Sequence, residues 1–367
     1  MAIAGPQLQA ELGLSLGMLG GLGATFAVLG ALGGVAAGSV VARAGDRRML
    51  VLGLVATALG AAMAVPTQSF AVLLASRVVQ GLGFVLITVA GPTVLGRLVR
   101  PADQNAALAL WSCFMPAGIA LAMLTGPWFG DWRSLWAAAA VAAGLIACGV
   151  VWRVPVEPDR AEAPLPVSVR GRVADVWRAG PLALSATFLL YSLMFFALFS
   201  FLPVLLQQRM QVAPWMLGLL GALAAAANIV GNLAAGALLG RVPREALVAG
   251  AAVTMGACAL GIFLPVLGPG AAFTLCVVFS AAGGLVPATL LSSVSRVTST
   301  PAQAALVVGL LMQGSNLGQT LGPALVGSAV DRHGWPAAAA WVVAAALVMV
   351  GLAWKMRWRL GMEVRQP

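Results

Sequence analysis

The chain has 367 residues, 61% of them apolar and 9% charged, with 44 Gly and 21 Pro. Soluble domains carry about 25% charged residues, so a soluble enzyme, a disordered chain and a collagen-like repeat are excluded. The net charge of +10 would suggest nucleic acid in a soluble protein. Here the basic residues stand in short gaps between apolar runs, where orientation in a membrane explains them and nucleic acid is not an expected partner.

Runs of about 20 apolar residues predict transmembrane helices. In chain order they cover 17–42, 49–66, 70–98, 104–129, 134–153, 181–206, 214–240, 246–264, 271–295, 303–330 and 336–354. The fold class is therefore all-α, a polytopic membrane protein with eleven helices, five before a central linker and six after it. Barrel strands are excluded because the runs are too long and lack alternation. The glycine-rich Gly20-Gly21-Leu22-Gly23 lies inside the first run with no strand before it, so it is no phosphate loop. Cys113, Cys148, Cys258 and Cys276 all lie in apolar runs, where a thiol behaves as a small hydrophobe. With His333 as the single histidine, neither a disulfide nor a metal site is expected.

The longest gap, 154–180, holds Pro155, Pro158, Pro164 and Pro166 and reads as a linker between an N-terminal bundle, 1–153, and a C-terminal bundle, 181–367. Its end, Val169 to Trp177, has the pattern of a short surface helix. Of the 21 Lys and Arg residues, seventeen fall in alternate gaps that include this linker and the C-terminus, three (Arg133, Arg209, Arg332) in the opposite gaps, and Arg77 inside a run. Positive-inside bias puts the C-terminus in the cytoplasm, and eleven crossings put the N-terminus outside. The bundles repeat at an offset of about 198 residues: Gly34-x3-Gly38, Arg43 and Asp46-Arg47-Arg48 answer to Asn232-x3-Gly236, Arg241 and Arg244-Glu245. Such duplication is a common build for secondary transporters. Gly30, Gly34 and Gly38, and again Gly314, Gly318 and Gly322, share a face at spacing four, which lets helices approach closely in lipid.

Buried polar residues are expensive in lipid and mark candidate sites. None of the eleven acids falls at mid-span. Arg77 is the one charge clearly inside a run, and its fork suits a carboxylate or other oxyanion. Its alternative role is structural, bonded to backbone carbonyls. Thr88, Ser112, Asn228, Gln313 and Asn316 lie near mid-span, with Trp111 and Tyr191 as aromatic walls. They suit a solute cavity or plain helix-to-helix hydrogen bonding. Asn232 and Gln319 lie nearer the interfaces. Trp132, Trp335, Trp354 and Trp358 fall near run ends, as expected of an interfacial aromatic belt. No Gly-x4-Gly-Lys-[Ser/Thr] loop occurs, so no ATP hydrolysis is expected.

These residues together resemble the major facilitator superfamily. The family's loop signature Gly-x3-Asp-Arg-x-Gly-Arg-Arg is matched from Gly38 to Arg48, with Ala42 in place of the acid and Asp46 where a basic residue is usual. Its Arg-x-x-Gln-Gly-x-Gly is matched in full by Arg77, Gln80, Gly81 and Gly83, and Trp132-Arg133, Gly322-Pro323, Asp331 and Gly334-Trp335 match further patterns. The resemblance implies a two-bundle fold of twelve helices, with Tyr191 on a cavity-lining helix. Pro6 to Ser15 then corresponds to the outer loop after the family's first helix, which the chain as given lacks. A misassigned start is the favoured reading of that difference.

By resemblance the chain is a secondary active transporter, not an enzyme, moving a small organic solute, anionic or neutral, by alternating access. No cofactor is implied. The expected partners are the bilayer of the cytoplasmic membrane, the solute and coupled protons, and the expected state is a monomer. Arg77, Gln80, Thr88, Trp111, Ser112, Tyr191, Asn228, Gln313 and Asn316 are the candidate solute ligands. Gly38, Arg43, Asp46, Arg47, Gly322, Pro323 and Asp331 are the candidate gating residues. A drug/proton exporter is the first alternative, although Gly126-Pro127-x-x-Gly130 matches the exporter signature only in part. A membrane receptor or assembly factor without transport activity is the second.

Overall fold

The computed structural model describes residues 5–156 and 177–363. The linker over 157–176, and with it nearly all of the surface helix expected over 169–177, lies outside the described residues. Among the described residues the regular structure is helical. In chain order the helices are α1 (Gly5–Leu12), α2 (Leu16–Ala44), α3 (Asp46–Ala64), α4 (Phe70–Leu98), α5 (Gln104–Ser112), α6 (Phe114–Thr125) and α7 (Trp132–Arg153). After the linker come α8 (Ala179–Phe199), α9 (Leu217–Leu238), α10 (Arg244–Phe263), α11 (Pro269–Ser293), α12 (Pro301–His333) and α13 (Trp335–Glu363).

Each expected span is found as helix, with four differences. The span over 181–206 is interrupted at Ser200 and Phe201, after which come a short helical turn, Leu202–Val204, and a π-helical turn, Leu205–Arg209. The span over 104–129 is broken at Cys113, whose N–H bonds Leu110 O at 3.1 Å. The cause is local: Pro116 has no N–H to return to the carbonyl four residues back, so the α-helical ladder cannot run through. The segment expected as an outer loop, Pro6 to Ser15, instead contains α1. Finally, ten helical segments of the described residues are long and apolar enough to cross a membrane. The eleventh, α12, has ample length at 33 residues, but Gln313, Ser315, Asn316, Gln319 and Thr320 dilute its apolar character.

Helix ends follow local chemistry. Ser15 caps α2 by accepting from the Met18 N–H at 3.2 Å, and Asp131 caps α7 by accepting from the Ser134 N–H at 2.6 Å. Gly45, at φ 95°, ends α2 and opens α3 in a backbone conformation costly for any residue with a Cβ.

The helices gather into two compact units. The first comprises residues 1–98, 125–178 and 298–316. Within it α3 packs on α4 and α7, and α2 packs on α4. The Gly30, Gly34 and Gly38 face of α2 meets the first half of α12. A Cβ on Gly38 would stand 2.7 Å from Ala305 O, and one on Gly34 would collide with Gly309 O and with Gln313. The second unit comprises 99–124, 179–297 and 317–367. There α9 packs on α11, and α10 on α11 and α13. Gly231 and Gly284 place the α9 and α11 backbones in direct contact, and Gly318 and Gly322 do the same for α12 against Leu189 and Leu193 of α8. Spacing-four small residues thus build both units as the sequence led us to expect.

Candidate solute-binding site

In the first unit the centre of interest is Arg77, on the eighth residue of α4. Its guanidinium lies over the Phe26 ring of α2 at 4.1 Å and within 5.8 Å of the Trp136 ring of α7. Nε donates to Leu22 O at 3.3 Å, and Nη1 donates to Gln80 Oε1 at 2.9 Å. Gln80, one turn on and buried, leaves its amide N–H without a partner among the described residues. No described carboxylate pairs with Arg77. The site therefore holds an uncompensated cation, flanked by aromatic rings and beside an unused amide donor. Such a group attracts an acceptor of negative or partly negative charge. The structural role weighed for Arg77 is present too, because one of its bonds goes to a backbone carbonyl.

The other candidates in this unit serve packing as they stand. Thr88 donates to Val85 O of its own helix at 3.1 Å. Gln313 Oε1 accepts from the Val35 N–H at 3.3 Å, and Asn316 donates to Met312 O at 2.7 Å and fills the space beside Gly30. At the far end of the unit, Asp46 is 2% exposed and takes both forks of Arg97, Nε at 3.0 Å and Nη2 at 2.9 Å. Arg97 also reaches Pro155 O, and Arg47 donates to Val151 O at 2.6 Å. Asp46 thus forms an ion pair with Arg97, a partner that the sequence alone does not mark. Arg43 is exposed and Gly38 buried.

In the second unit Asn228 of α9 donates to Tyr191 Oη at 3.2 Å and to Ser280 O at 2.9 Å. Asn232 donates to the Asn228 backbone and side-chain oxygens at 3.0 and 2.9 Å. All four residues are buried, and Asn232 Oδ1 and Ser280 Oγ have no partner among the described residues. Asn232, set aside in the sequence for its nearness to the interface, is a full member of this network. Its spacing of four from Asn228 was the signal available. Ser112 bonds Leu108 O of its own helix, while the Trp111 ring lies tilted at 5.5 Å from Phe114 and leaves its indole N–H unpartnered among the described residues. Pro323 lies within α12, and Asp331 is exposed near its end. The first unit therefore joins Arg77 with Gln80, and the second joins Tyr191 with Asn228.

One tryptophan expectation is corrected. Trp132 is 1% exposed, stands edge-on to Trp136 at 5.3 Å and donates to Glu11 at 3.2 Å, so it belongs to the protein interior rather than a lipid belt. The helix α1 covers it, which nearness to a run end could not reveal. Trp354, by contrast, is exposed.

Long apolar helices with glycine seams, a half-buried cation with no carboxylate partner among the described residues and amide networks describe a polytopic membrane protein of the solute-transporter class. The chain belongs to the major facilitator superfamily: the family model of that description matches residues 1–310. A "Chloramphenicol resistance protein" of Streptomyces lividans is 30% identical over 345 residues, covering 86% of this chain and 84% of that protein. Among solved structures, the human organic anion transporter MFSD10 (TETRAN) superposes with a TM-score of 0.78 at 20% identity, over 96% of this chain and 89% of that one. FucP, a transporter of the same superfamily in the outward conformation, gives 0.79 at 14% identity, over 97% and 94%. At these identities the two structures establish the fold.

Proposed function

We propose that this chain is a secondary active transporter that moves a small organic solute, anionic or neutral, across the cytoplasmic membrane by alternating access. The observation that carries the reading is Arg77, a half-buried guanidinium with no carboxylate partner among the described residues and a free amide donor beside it. An incoming oxyanion or polarised oxygen would meet the cation without having to displace a protein carboxylate. Tyr191, Asn228, Trp111 and the remaining polar candidates are the further solute ligands of this proposal. The moving bodies are the bundles 1–153 and 181–367 joined by 154–180, with Asp46, Arg47 and the α2–α12 glycine seam in the gate. The C-terminus faces the cytoplasm, protons are the coupling ion, and the protein works as a monomer.

The test is solute flux in proteoliposomes, with a panel of organic anions and neutral compounds. Arg77→Ala and Arg77→Lys should weaken apparent solute affinity about ten- to a hundredfold, the loss of one hydrogen bond to a charged group. Unchanged flux in both variants would remove Arg77 from the mechanism. Absence of flux for every solute would favour the receptor or assembly-factor reading.

A second reading, a drug/proton exporter, is favoured by the likeness to the chloramphenicol resistance protein. It predicts lower chloramphenicol accumulation in cells that express the chain, and export of hydrophobic cations little changed by Arg77→Ala.

A further inference from the structure

The eight residues of α1 do more than connect. Leu8 is 0% exposed and belongs to one buried cluster with Leu22, Ala64, Trp132 and Trp136. Two polar ties fix the helix to the start of α7. Glu11 accepts from Arg133 Nη1 at 2.5 Å and from the Trp132 indole at 3.2 Å, while Gln7 donates to Gly130 O at 3.0 Å. Trp132 meets Trp136, and Trp136 faces the guanidinium of Arg77, whose Nε bonds Leu22 O. A continuous chain of contacts thus runs from α1 through two tryptophans to the half-buried cation. A short link joins α1 to α2, and Gly13 in that link sits at φ 60° with open space around it. The tie at Glu11 is half-exposed and therefore breakable.

We propose that α1 is a lid, latched by Glu11, that must lift from Trp132 and Trp136 before a solute reaches Arg77 from that end of the unit. The proposal rests on the reading of Arg77 as a solute ligand. Leu8 supplies the seal, because an apolar plug excludes water from the tryptophan pair. Glu11 supplies the release, because it exchanges two protein donors for water at little net cost.

The experiment needs no solute. In purified detergent-solubilised protein with the four native cysteines replaced by Ser, the reporter Ala64→Cys lies beneath the lid and is titrated with a maleimide. Glu11→Ala should speed labelling about fivefold and Leu8→Ala by more than about tenfold, the size of effect expected for a lost charged hydrogen bond and a lost buried side chain. Glu11→Gln, which keeps an acceptor, should fall between parent and Glu11→Ala. Hydrogen exchange should accelerate over 5–14 and stay unchanged over α4. A labelling rate equal to the parent's in both Ala variants overturns the lid. So does acceleration in α4 equal to that in α1, which would make Glu11 a general brace of the fold. These results are separable from the flux test. Lid behaviour as described in a protein without flux removes the transport reading, whereas flux that depends on Arg77 with no change in labelling removes the lid.

Discussion

The ion pair of Asp46 with Arg97 illustrates how much rests on single residues. Asp46 is almost fully buried and receives two charge-assisted bonds from Arg97, so removing Arg97 takes both from a buried carboxylate. Arg97→Ala should lower stability by about 3–5 kcal/mol, read by thermal unfolding in detergent, and Arg97→Lys should recover only part because an ammonium cannot present the fork. The sequence disclosed the acid but not its partner, since the two lie 51 positions apart and on different helices. Arg77 was legible as the one charge within an apolar run. The ring beneath it, Phe26, was not, because a phenylalanine in an apolar helix carries no mark of which neighbour it faces. Trp132 was misread for a related reason: sequence gives distance from a helix end, and only the fold shows that another segment lies over it.

At the scale of the element, glycine spacing translated directly into contact. Gly34 stands against the Gly309 carbonyl and Gln313, so Gly34→Val should force α2 from α12. The cost is that of overpacking, about 1–3 kcal/mol or more, and flux should fall further than stability, since the seam belongs to the proposed gate. Thermal unfolding and flux measured on the same preparation separate the two effects. The helix α1 is sensitive to acid. Hydrogen bonding from Arg133, and then from Trp132, holds the Glu11 carboxyl below the ordinary value of 4.5, while Asp131 nearby opposes the shift weakly. A lowered folded value means the tie is fully present above 4.5 and is lost as pH falls through the lowered value. Hydrogen exchange over 5–14 should therefore accelerate on acidification, and Glu11→Gln should flatten that dependence. The break at Cys113 was less legible. Pro116 signalled an interruption, but prolines at 92, 287 and 323 are accommodated inside continuous helices.

For the whole molecule, composition and run length were enough to give the class and the long spanning segments, though not α1, because lipid demands that every spanning backbone satisfy its own hydrogen bonds. Which side each end occupies rests on the distribution of arginines. A reporter fused after Pro367 should be active only in the cytoplasm, and moving arginines into the gap at Arg332 should disturb that orientation. The polar middle of α12 carries a different consequence, one that concerns how the protein is made. A segment with Gln313, Asn316 and Gln319 at its centre partitions poorly into hydrocarbon by itself, and its first half packs against the glycine face of α2. As an isolated segment in a translocon assay it should be left outside the bilayer, and Gln313→Leu with Asn316→Leu should drive it in. Biogenesis is then ordered: α12 must be handed to a partner helix already in place, and a nascent chain deprived of α2 would strand it for quality-control proteases.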